Sequence, residues 1–370
     1  MARNLLLVLM AVGLSLMVFW APFLVKTGQF WGIDFARRGM EAVVQNFDGL
    51  NFLVVEKSGY NPKTIEAINA QFLTGNDPIY YAAHFPLFAG LIKIFDFILT
   101  PPQALLLSII LSNLLLAGGL YFFFVTTLKN KNLAILLSTI GLFFPARMLS
   151  VRGVGSNEPL FIFLVIISLT WAIKQKYWPS AVAGALAVLT RSPGILLFGV
   201  YLLSMWRRPK DLLPYILMPI VLVGLFGFYG WRYGDPLAYF HSGDNLHLFF
   251  PPFSIFSNMA TWINDMWRED IIYLYIFYGV GIAMVNGRWP MLKKWGLIYG
   301  TTLLFVAHRD LARYALPIAP IALLGYAPLI ERIPRKYWWG IALMLIPIYL
   351  LGWQFVLRNI QPISNWGALL

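Results

Sequence analysis

The sequence contains no cysteine, so a disulfide framework, thiolate chemistry and a cysteine-ligated metal are all closed to it. Charge is scarce too. Asp, Glu, Lys and Arg make up 12% of the 370 residues, where a soluble domain carries about 25%. A chain so poor in charge cannot cover a globular surface with polar groups, which excludes a soluble enzyme. Acids are the rarer half: Asp+Glu number 16 against Lys+Arg 28, a formal net charge of +12. Also missing are GxxxxGK[ST], HExxH, GxSxG and an EF-hand loop, and with them the phosphate cradle, zinc protease, nucleophile elbow and calcium loop they encode. What the chain has instead is apolar length, with 59% hydrophobic residues, 16% aromatic residues and a mean hydropathy of +0.70.

A hydrocarbon core of ~30 Å needs about 20 mostly apolar residues as helix. Residues 5–25 meet this. They follow Arg3 without a small-residue cleavage site, so they read as a retained span rather than a signal peptide. Further apolar runs cover 103–127, 133–149, 159–173, 211–230, 271–286, 295–307, 315–330 and 337–357. Residues 83–99 are short and interrupted by Lys93 and Asp96, so a re-entrant or juxtamembrane helix is expected, with a true span as the alternative. Residues 179–205 are split by Arg191-Ser192-Pro193-Gly194 and are expected to form two half-helices. The expected fold is an all-α polytopic membrane protein of about 9–11 transmembrane helices. No internal repeat or separate soluble domain is visible, so residues 1–370 read as one transmembrane domain.

The positive-inside rule then orients the chain. With the N-terminus inside, the inner segments hold Arg3, Lys129, Lys131, Lys174, Lys176, Arg207, Arg208, Lys210, Arg288, Lys293, Lys294, Arg332, Arg335 and Lys336, against Asp211 and Glu331 alone. Those loops account for the whole +12, so the basic excess is orientation charge and no nucleic-acid partner is implied. The compact loops favour a plasma membrane with a cytoplasmic N-terminus.

Most carboxylates fall on the outer side, in the loops 26–82 and 231–270. In the first, Trp31, Phe35, Val43 and Phe47 recur near multiples of four, opposite Asp34, Arg37, Arg38 and Glu41; Ile65, Ile68 and Phe72 repeat the pattern after Pro62. Two interfacial amphipathic helices are expected there, with Asp34 and Arg38 as an i,i+4 pair. Ionisable groups near a membrane boundary default to functional suspicion, and the outer side offers Asp34, Asp48, Glu56, Asp77, His84, Arg147, Arg152, Glu158, Arg191, His241, Asp244, His247, His308, Arg309, Asp310 and Arg313. His241 and His247 beside Asp244 could form a metal site, but the spacing is loose and no third histidine lies near. No metal or other cofactor is expected.

Four separated segments resemble one family. The stretch from Asn46 through Asp48, Gly49 and Asn51 to Gly59-Tyr60 resembles the W-D-x-x-x-Y-x-x-I-A-x-x-G-Y segment of GPI mannosyltransferase II (PIG-V-like) proteins, membrane glycosyltransferases of the GT-C superfamily. His84-Phe85-Pro86-Leu87-Phe88 resembles that family's F-F-P-L-[FY], Ser156-Asn157-Glu158-Pro159-Leu160-Phe161 its S-E-S-L-F, and Leu189-Thr190-Arg191-Ser192-Pro193-Gly194 its L-T-R-x-x-G. Tyr233 to His241 and Ala312-Arg313-Tyr314 also resemble segments of it, in the same order. Phe47, Phe52 and Ala89 depart from its Trp, Tyr and Pro.

The resemblance implies a GT-C fold and transfer of mannose or a similar hexose from a polyprenyl-phosphate donor to an acceptor hydroxyl, a glycolipid or other glycan, on the outer face. Asp48 matches the family's catalytic carboxylate and would be the general base. Arg191, Arg313 and Arg309 would hold the donor phosphate, and Glu158, Asn157, His84, Tyr60 and His241 would contact sugar or acceptor. A transporter or flippase of lipid-linked sugars is the rival class, because broken helices and a membrane-depth arginine serve transport as well.

Overall fold

Small residues set how closely the helices approach. Without water to drive helices together, membrane helices associate through close van der Waals packing at such residues. Asp265–Ala283 packs on Ala319–Glu331 through Gly281 and Gly325, where a Cβ on Gly325 would sit 1.8 Å from the Gly281 carbonyl oxygen. Pro101–Thr127 packs on Glu158–Ile173 with Gly119 against the Phe163 ring. The computed structural model describes residues 2–46, 48–70, 72, 75–257, 262–363 and 365–370. Over these the chain is a helical bundle with one two-stranded hairpin.

Among the described residues five helices are long and apolar enough to cross a membrane: Ala2–Leu24, Pro101–Thr127, Pro209–Tyr233, Leu311–Glu331 and Trp338–Arg358. The chain is thus a multi-pass membrane protein. Others are shorter. The expected run 133–149 divides into Lys131–Gly141 and Arg147–Arg152, and 83–99 yields the 11-residue helix Pro86–Asp96. Residues 179–205 form two halves, Tyr177–Thr190 and Leu196–Met205, parted at Arg191 and the short turn Ser192–Ile195.

The first long loop departs from expectation in its first half. Instead of an amphipathic helix, Gln29–Phe30 and Ile33–Asp34 pair as an antiparallel hairpin. Its two-residue turn, Trp31-Gly32, has φ of 49° and 72°, the left-handed backbone that two-residue hairpin loops demand. The periodic aromatics were compatible with a helix, but Gly32 and Gly39, both at positive φ, break it. Only Glu41–Val44 is helical in that stretch, and Phe47 lies outside the described residues. The expected Asp34–Arg38 pair is absent for the same reason: Asp34 accepts from the Ala36 N–H at 3.0 Å and Arg38 donates to Gln45 at 3.0 Å. The second half does fold as expected. Pro62–Asn69 is a helix capped by Asn61, whose side chain accepts from the Thr64 N–H at 3.2 Å.

Arg152 has a structural place. It is fully buried, donating from Nε to the Leu142 carbonyl at 2.6 Å and from Nη2 to Ser15 Oγ at 2.7 Å.

Candidate active site

The site forms where four distant segments meet at one end of the bundle. Asp48 stands immediately before the buried helix Gly49–Ser58. Gly49 and Gly155 bring two backbones almost into contact: a Cβ on Gly155 would lie 2.5 Å from the Gly49 Cα. That crossing holds Asp48 beside the turn 153–157, which leads directly into Glu158–Ile173. Arg191 enters from the break between the half-helices, in extended backbone with φ −154° and ψ 144°. Gly194 lets the turn after it close onto Ala187 and Val188, where a Cβ would sit 2.6 Å from the Ala187 carbonyl carbon. Arg313 comes from the one-turn helix Leu311–Tyr314.

These side chains form a row of alternating charge. Arg191 and Arg313 both donate to Oε1 of Glu158, and Arg313 also donates to Asp48 Oδ2. Asn157 accepts from Arg191 at 2.9 Å and donates to the Thr190 carbonyl at 2.8 Å, tying the helix break to the row. Glu158 is 1% exposed, so its ionised form depends on the two guanidiniums; removing one partner of such a buried pair costs about 3–5 kcal/mol. The row continues past Asp48. His84 Nε2 lies 3.7 Å from Asp48 Oδ1 and 3.9 Å from Asp244 Oδ2, distances that suit a bridging water better than direct bonds. Arg147 pairs with Asp310 on the same side.

The electrostatics separate the carboxylates. Burial alone would raise the Asp48 carboxyl, but the Arg313 charge and then His84 outweigh it and hold the group well below the usual carboxylate range. Asp244 moves the other way, pushed up first by burial and also by the nearby Asp48. His308, pressed ring to ring against His247 with centroids 5.4 Å apart, is brought down to about 4 chiefly by burial and by that neighbour.

A cavity of about 880 Å³ opens among these groups, within the range of small-molecule sites. Asp48, His84, Asn157, Arg191, Arg309 and Arg313 all line it, as do Asp244, Arg147 and Arg358. Among the described residues the Arg309 guanidinium has no ion-pair partner, and its backbone carbonyl accepts from the Trp267 indole at 3.2 Å. Asn51 Oδ1 and His84 Nδ1 are buried without a hydrogen-bond partner among the described residues. Three expected contacts lie elsewhere. Glu158 is buried, bonded by Arg191 and Arg313, and does not line the cavity. Tyr60 is buried behind the wall, its hydroxyl donating to the His84 carbonyl at 2.6 Å, so it positions His84. His241 is largely exposed and bonded to Asp235 at 2.6 Å, away from the cavity lining. Asn51 and Arg358 were not singled out by sequence reasoning, whereas Asp244 was among the outer-side ionisable candidates. Asn51 was legible in the motif carrying Asp48, and Arg358 owes its place to tertiary folding.

No protein-family model and no curated protein matches the chain. Among solved structures, ArnT from Cupriavidus metallidurans bound to undecaprenyl phosphate is similar with a TM-score of 0.56 and 13% identity, over 91% of this chain and 62% of that one. The apo form of ArnT is similar with a TM-score of 0.55 and 15% identity, over 92% of this chain and 62% of that one. At such identities the likeness is one of fold. The chain shares the all-α, polytopic fold of ArnT, and it spans less than two thirds of ArnT's length.

Proposed function

We propose that the chain is an integral-membrane glycosyltransferase using a polyprenyl-phosphate-linked sugar, with Asp48 as general base and the acceptor a glycolipid or other glycan. Mannose as the sugar rests on the sequence resemblance. The observation that carries the reading is an ionised carboxylate, Asp48, on the wall of a cavity that also presents the guanidiniums of Arg313 and Arg309. The fold shared with ArnT, one structure of which holds undecaprenyl phosphate, supports a lipid-linked donor. The topology read from the inner charges puts this cavity on the outer face.

The reaction is a single displacement. Asp48 takes the acceptor hydroxyl proton as the oxygen forms its bond to the anomeric carbon, and the carbon–phosphate oxygen bond breaks with its electrons passing to the phosphate. The anomeric centre inverts. Phosphate leaves without protonation, so its developing charge calls for fixed positive groups rather than an acid. Arg309, without an ion-pair partner among the described residues, can supply this directly. Arg313 can supply it by exchanging Asp48 for the phosphate, which would free an Asp48 lone pair when the donor is in place. Arg191, bonded to Glu158, anchors the row, and Asn51 and His84 stand on the cavity wall to meet hydroxyls of sugar or acceptor.

Asp48→Asn keeps shape and removes the base. Its transfer of sugar from polyprenyl-phosphate mannose should fall by about 10²–10⁴-fold while donor binding and folding persist. Wild-type rates in that variant would reject the base assignment. In reconstituted vesicles the wild type should make a glycosidic bond; translocation of the lipid-linked sugar without bond formation would favour the transport reading instead.

A further inference from the structure

A second cavity, of about 420 Å³, lies beside the first, between residues 32–38 of the hairpin segment and residues 354–360 at the end of the last helix. Arg37, Arg38 and Arg358 face it, with Asp34 as its sole carboxylate. Asp34 is engaged by the Ala36 N–H, and Arg38 by the neutral Gln45. No ion pair among the described residues involves any of the three arginines. In the neighbouring cavity Arg147, Arg191 and Arg313 are each matched to a carboxylate, whereas Arg309 and the shared Arg358 form no ion pair among the described residues.

The depth of the cavity identifies its ligand. Arg358 is the last residue of the apolar span Trp338–Arg358, so the cavity sits where a hydrocarbon core gives way to headgroups. Phe30 and Trp31, stacked at 6.0 Å and exposed at the hairpin tip, mark the same level, since aromatic rings collect at membrane interfaces. Below Arg358 the helix exposes Leu343, Ile346 and Leu351, a surface for acyl chains. Guanidiniums match phosphate oxygens in geometry and charge better than any other side chain. We propose that this cavity binds the phosphate of an anionic membrane phospholipid. Because Arg358 lines both cavities, the bound headgroup borders the cavity that holds Asp48. The site stands independently of the transferase reading.

The test is lipid binding to the full-length protein in neutral detergent, read by native mass spectrometry. Phosphatidylglycerol should bind saturably at one copy per chain, more tightly than diacylglycerol, and more weakly as ionic strength rises. The Arg37→Gln/Arg38→Gln double variant should bind it about tenfold more weakly or worse, which corresponds to ~1.4 kcal/mol or more. Asp48→Asn should bind it as the wild type does, whatever happens to sugar transfer. Undiminished binding in a double variant with unchanged thermal stability would overturn the proposal, as would equal binding of diacylglycerol. Competition by inorganic phosphate at concentrations equal to the lipid's would also overturn it, by making the ligand a soluble anion.

Discussion

Asp48 is ionised and hydrogen-bonded at once, and for a base these properties pull in opposite directions. The Arg313 guanidinium that keeps the carboxylate charged also occupies one of its oxygens, so basicity in the empty site is low. Asp244, pushed upward by burial, is the better proton acceptor in isolation, yet the direct cationic contact belongs to Asp48. His308 gives a residue-level prediction with a definite sign. Its Nδ1 accepts from the Asp310 N–H at 3.0 Å, which needs a neutral ring. Folding brings its pKa down from 6.5 to about 4, so between those values the unfolded chain takes up a proton that the folded chain refuses. Stability should therefore fall as pH drops from 6.5 toward 4. His308→Asn, which keeps an acceptor for Asp310, should flatten that part of a melting-temperature profile in detergent; an unchanged slope would assign it to another group.

At the scale of elements, backbone crossings matter more than side-chain chemistry. A methyl group on Gly155 must displace Gly49, and Asp48 is the residue before Gly49. Gly155→Ala is expected to cost sugar transfer at least about 10²-fold, because catalysis tolerates displacements of only about 1 Å. Its melting temperature should fall as well, because the neighbour that must move is backbone; a folded variant with full activity would show that the crossing does not position the base. Elements also show what could be read in advance. The half-helices around Arg191 were legible because Arg-Ser-Pro-Gly interrupts an apolar run too long for one short helix and too short for two spans. The hairpin at 29–34 was not, because aromatic spacing near four residues outweighed the turn signal of Trp31-Gly32. Glu158, Arg191, Arg313 and Asp48 could each be suspected from sequence. Their joining into one row could not, since Arg313 and Asp48 are 265 residues apart and no local spacing records that contact.

For the whole molecule, the absence of cysteine makes orientation directly measurable, because any introduced thiol is the only one. A cysteine at Asn245, which lines the large cavity, should react with a membrane-impermeant maleimide in intact cells. One at Lys129 should react only after permeabilisation. The reverse pattern would invert the topology read from the inner loops. The same scale brings out a kinetic consequence of Arg309 and Arg358, which line the large cavity and form no ion pair among the described residues. A sugar-linked polyprenyl phosphate is a diester with one negative charge, whereas the spent carrier is a monoester whose charge approaches −2 at neutral pH, with a second pKa of about 6. Fixed cations without counter-ions hold the more highly charged species more tightly. Turnover should therefore be limited by departure of the emptied carrier lipid, and polyprenyl phosphate should inhibit competitively with donor, more strongly above pH ~6 than below it.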